Sequence, residues 1–143
     1  MPVDFNALVL EMRAARTTEA MMVVYEHLFR LDEWFLPVDP EVPGTPMQWR
    51  YPEGLNPSPC ILVHTDADRA RRIADTVAAS MGTTSAVMTI SVADAVTWIL
   101  SGDLGVSWAS VNQGPGSENF PVYFFQVEEL ARAFGVAGYK SPA

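Results

Sequence analysis

The residues best placed to do chemistry in this chain are His64, Thr65 and Asp66. They follow the apolar run Cys60-Ile61-Leu62-Val63, so they stand where a buried strand ends. Open α/β sheets bind ligands in the crevice beyond the carboxyl ends of their strands. Asn112 and Gln113 close a second strand-like run over residues 106–111 and are placed to face the same crevice. A histidine beside a carboxylate and an amide has the groups to hold a small polar ligand or to act as acid and base. The same residues also have a purely structural use, in which Thr65 or Asp66 caps the next helix and His64 bonds to backbone. That use needs no ligand and is the simpler of the two.

Other chemistry is poorly supplied. One cysteine excludes an intrachain disulfide, and one cysteine with two histidines leaves too few soft ligands for a structural zinc site. Cys60 opens its strand with no basic neighbour to activate it, and so reads as a small buried hydrophobe. The patterns G-x-S-x-G, G-x-x-x-x-G-K-[ST] and H-E-x-x-H are missing. Gly114-Pro115-Gly116 precedes a strand instead of opening a helix, which is wrong for a phosphate cradle. No catalytic residue, metal or cofactor is therefore assigned.

Charge and aromatic content suggest contact surfaces. Lys and Arg total 9 against 17 Asp and Glu, for a net charge of −8. Nucleic-acid binders need a basic face to displace counterions, so nucleic acid is not an expected partner. Arg69, Arg71 and Arg72 nevertheless cluster on the first turns of one helix. Asp66, Asp68 and Asp75 can neutralise them as i,i+3 and i,i+4 pairs, or the arginines can meet an acidic partner. Trp49, Tyr51 and Trp98 lie off the expected core stripes, and aromatics on ordered surfaces make good anchors. The expected partner surface is thus Trp49, Tyr51, Trp98, Arg69 and Arg72, facing another protein or a second copy of this chain in a homodimer. No basic n-region precedes the first apolar residues, and no run reaches the ~20 apolar residues of a membrane helix. A cytoplasmic protein with no membrane partner is the expectation.

The elements that must position these residues follow from spacing. With 143 residues, 49% of them hydrophobic, the chain suits one domain with its own core. Phe5, Leu8, Val9 and Met12 repeat at helical spacing behind Asp4, a fitting cap; Met21, Val24, Tyr25 and Leu28 repeat it again. These two helices are expected to form a hairpin over one sheet face. Residues 34–38 read as a strand closed by proline. Seven prolines then fall within residues 37–59, from Pro37 to Pro59, which forbids a helix there. This stretch reads as an ordered connection holding at most a short edge strand around Trp49 and Tyr51. After the strand at Cys60, a helix with Ala70, Ile73, Ala74, Val77 and Met81 on one stripe stops at Gly82. A strand over 86–90, a helix capped by Ser91 and ended at Gly102, strands over 106–111 and 122–125, and a last helix stopped at Gly135 complete the order. Strand–helix alternation predicts an α/β (α+β) domain with a mixed, mostly parallel sheet of about five strands flanked by helices.

This layout resembles the N-terminal domain of the SseB-like family (enhanced serine sensitivity protein). The resemblance spans residues 10–135 and rests on ILVHTDADRA, on GVSWASVNQGP and on the closing helix FQVEELARAF. Family members often end the matching strand in Asn-Pro-Gly, where this chain has Asn112-Gln113-Gly114-Pro115. The resemblance implies a non-catalytic binding or regulatory module working through protein–protein contact. The residues themselves leave a rival open: a small polar ligand-binding domain or weak enzyme with its site at His64, Asp66 and Asn112.

Overall fold

The computed structural model of the protein describes residues 5–42, 44–49, 60–106, 108–112 and 123–135. Its elements in chain order are α1 (Phe5–Ala15), α2 (Thr18–Phe29), β1 (Glu33–Pro37), β2 (Gln48–Trp49), β3 (Cys60–Val63), α3 (Ala67–Met81), β4 (Val87–Ser91), α4 (Val92–Leu100), β5 (Trp108–Val111), β6 (Tyr123–Gln126) and α5 (Val127–Phe134). The expected cap Asp4 lies outside the described residues. The helical hairpin is present: α1 packs on α2, with Arg16 at φ 53° between them. Thr17 restarts the chain as a helix by accepting from Ala20 N at 3.1 Å.

The core is sorted by the strand period of two. Every residue of β3 is fully buried, as a strand covered on both faces must be. Ile61 and Val63 face one cluster built from Tyr25, Leu28 and Phe29 of α2, Val96 and Ile99 of α4, and Val127 and Ala131 of α5. Leu62 points the opposite way, to Met47 of the connection and Ile73 of α3. The molecule is therefore layered, with α3 on one face and α2, α4 and α5 on the other.

The sheet departs from the mostly parallel arrangement. Two sheets form, β1–β4 and β2–β3–β5–β6. Of the four strand pairs among the described residues, only β3–β5 is parallel. The reason lies in where β1 goes. Phe35 and His64 exchange both main-chain hydrogen bonds, Phe35 N to His64 O at 3.0 Å and His64 N to Phe35 O at 2.8 Å. This antiparallel bridge lays β1 beside the end of β3. The strand after α3, β4, then pairs antiparallel with β1 instead of lying beside β3. Strand–helix alternation does give β3, β4 and β5 one direction, but β1 stands between β3 and β4. The short edge strand is real: Gln48 and Trp49 pair with Ile61 and Cys60.

Pro37 sits in β1 without breaking a ladder. Leu36 and Trp34 bond toward β4, whereas Phe35 and Pro37 face the other way. On that side only the Pro37 carbonyl is used, accepting from Met47 N at 2.7 Å. The missing proline N–H is never called on.

Candidate functional site

β3 and β5 are parallel neighbours and end side by side, Val63 opposite Val111. The chain leaves β3 through His64, Thr65 and Asp66, and leaves β5 through Asn112. The strand-end argument thus brings Thr65 and Asn112 together. Asn112 Oδ1 accepts from Thr65 N at 2.9 Å and from Thr65 Oγ1 at 3.3 Å. Asn112 Nδ2 donates back to Thr65 Oγ1 at 3.2 Å. Asn112 N also donates to Val63 O at 2.8 Å, which extends the parallel ladder by one rung. Asn112 holds φ 58°, a conformation that asparagine tolerates better than most residues. Only 4% of its surface is exposed.

Asp66 turns away from this pair to serve the next helix. Its Oδ1 accepts from Arg69 N at 2.8 Å, capping α3. Its Oδ2 lies 3.2 Å from Arg69 Nε. Asp66, and not Thr65, is the cap. His64 is fully buried, and its backbone forms the bridge to Phe35. A ligand in solution reaches that ring only after local opening. Gln113 lies outside the described residues. The polar side chains at the strand ends are thus largely engaged in holding main chain: a clasp between two strands and a cap on one helix.

Of the residues expected on a partner surface, Arg69 and Arg72 lie on α3 and Trp98 lies on α4. Arg72 is exposed on α3, but the side chain of Arg69 is only 18% exposed and is folded onto Asp66. Trp98 is half-buried on α4, in the layer opposite α3. Trp49 holds a strand position opposite Cys60. Tyr51 lies outside the described residues. Cys60 is fully buried, and burial pushes its thiol up to about 11. A thiol held neutral in this way is a poor nucleophile.

Sequence reasoning missed an open groove of about 440 Å³. It lies where the end of α2, the start of α4 and the end of α5 meet, with Phe29, Leu31, Val92 and Phe134 among its lining and Arg30 and Asp32 at the side. Phe29 and Phe134 stack there with ring centroids 6.1 Å apart. No local sequence signal marks it, because its walls come from three segments far apart in the chain. Among the described residues no cluster of three His, Cys, Asp or Glu side chains could hold a metal ion. Among them, too, no helix is long and apolar enough to cross a membrane.

Comparison with protein-family models, with curated proteins and with solved structures finds no match to this chain.

Proposed function

We propose that this chain is a non-enzymatic binding module of the SseB-like type, acting in the cytoplasm through contact with another protein. The observation that carries this reading is the engagement of the strand-end polar groups. Asn112 and Thr65 hold each other, Asp66 caps α3 and holds Arg69, and His64 is sealed from solvent. Little remains there to grip a substrate. Arg72, exposed on α3 beside Arg71, offers a cationic handle on an otherwise acidic chain.

One observation favours the rival, a site for a small polar ligand. Thr65 and Asn112 do converge at the ends of parallel strands, where such sites form. Native mass spectrometry of the protein purified from its own host separates the two. The binding-module reading expects no small molecule added to each 15.7 kDa chain, and expects Arg72→Glu to weaken capture of a specific protein. A stoichiometric small added mass that disappears in Asn112→Ala would sink it in favour of the ligand site.

A further inference from the structure

Among the described residues β4 is an end strand with one unpaired edge, whose pattern can be derived from its pairing with β1. Val38 N donates to Ala86 O at 2.9 Å, and Val92 N donates to Asp32 O at 3.3 Å. Both contacts fall on the register that sets Leu36 against Met88 and Trp34 against Ile90. The even-numbered residues of β4 therefore bond to β1. In an antiparallel pair the alternate residues turn their N–H and C=O groups the other way. Val87, Thr89 and Ser91 thus aim main-chain donors outward, and among the described residues no main-chain partner meets those of Val87 and Thr89. Thr89 is exposed.

The residues of β4 carry none of the protective side chains usual at an edge. End strands are commonly blunted by lysine, proline, a bulge or an inward-pointing charge. β4 reads Val-Met-Thr-Ile-Ser, with none of these residues and with β-branched side chains suited to a strand. No charged side chain occurs from residue 76 to residue 93, between Asp75 and Asp94, in a chain of net charge −8. Two copies repel across most of their surfaces, and an uncharged strip is where they approach at least electrostatic cost. The strip is also self-complementary. About a two-fold axis at Thr89, Val87 of one copy faces Ser91 of the other, and all of these positions turn main-chain groups outward. Facing threonines on the axis form a favourable cross-strand pair.

We propose that β4 is a self-association edge, where a second copy of this chain adds antiparallel through Val87, Thr89 and Ser91 to make one sheet across the dimer. The proposal does not depend on the α3 face or on the function argued above. Sedimentation velocity over a concentration series tests it, together with hydrogen exchange. The expected result is a mass that rises from 15.7 kDa to twice that value. The amides of Val87 and Thr89 become protected as concentration rises, whereas those of Met88 and Ile90 are protected throughout. Thr89→Lys places two like charges on the axis and weakens self-association by about tenfold. A mass that stays monomeric to the limit of solubility overturns the proposal. So does a dimer in which the Val87 and Thr89 amides exchange as in the monomer, or one that a folded Thr89→Lys variant leaves unweakened. If Thr89→Lys does not fold, the exchange pattern of the unmodified chain decides.

Discussion

Asn112 closes its side-chain amide on Thr65, 47 positions earlier in the chain, accepting from the Thr65 amide at 2.9 Å. One side chain thereby ties the exit of β5 to the exit of β3. The positive φ of Asn112 directs the chain away just where the parallel pair stops. This is stabilisation between segments that no local pattern links, and its cost of closure rises only slowly with the length of the loop.

A short substitution series separates its two parts. Asn112→Ala loses all three side-chain hydrogen bonds to Thr65 and leaves a residue that dislikes φ 58°. It should cost about 2–4 kcal/mol of unfolding free energy. Asn112→Gly restores the backbone freedom and should recover about 1 kcal/mol of that loss. Urea unfolding at unchanged m-value measures both. Equal losses in the two variants would mean that the left-handed backbone contributes nothing.

Asp66 is used twice, as the cap of α3 and as the partner of Arg69. The cap should dominate, because the Asp66 side chain is 46% exposed and a solvated ion pair is worth little. Asp66→Ala should therefore cost about 1–2 kcal/mol, and Asp66→Asn, which keeps an accepting oxygen, less than about 0.5 kcal/mol. If asparagine proves as damaging as alanine, the ion pair is the greater part.

Cys60 gives a pH dependence whose sign can be worked out. Its folded thiol titrates at about 11, above its ordinary value of 9.0. Between those values the unfolded chain has lost a proton that the folded chain keeps. This contribution is therefore complete below pH 9 and is lost as pH rises toward 11, at about 1.4 kcal/mol per pH unit within the window. Cys60→Ala should show a shallower fall in stability across that window than the unmodified chain. A thiol reagent at pH 8 should label the native protein only as fast as it opens. Parallel pH curves for the two proteins, or immediate labelling, would contradict the burial of this sulfur.

Local devices were readable from residue types alone. The apolar run of β3, the carboxylate that opens α3 and the glycine that ends it at φ 68° all act within a few positions. Ser91 likewise accepts from Asp94 N at 3.1 Å to start α4. Hidden from that kind of reading was the Phe35–His64 bridge, which places β1 between β3 and β4 and so decides sheet order. His64 itself looked reactive because histidine and a strand end suggest chemistry together. Its type is also compatible with a buried core, and only the fold shows Phe35 against its backbone. Asn112 stands at the strand end that its place in the sequence implies, and there its amide holds Thr65. Its amide could serve a ligand or a backbone, and the choice depends on Thr65 standing within reach.

Trp34 offers the clearest test of a single buried hydrogen bond. It is fully buried and donates from Nε1 to Leu28 O at 3.0 Å. That carbonyl belongs to the last turn of α2, where helix geometry supplies no amide to meet it. The indole also meets Phe29 edge-on, with ring centroids 5.5 Å apart. Trp34→Phe keeps an aromatic ring but strands the Leu28 carbonyl in the core and leaves a small void. The expected loss is about 2–4 kcal/mol, part from the void and part from the orphaned acceptor. Hydrogen exchange should show the penalty locally, with faster opening of the last turn of α2. A variant as stable as the unmodified chain would mean that the carbonyl finds water or another donor once the indole is gone.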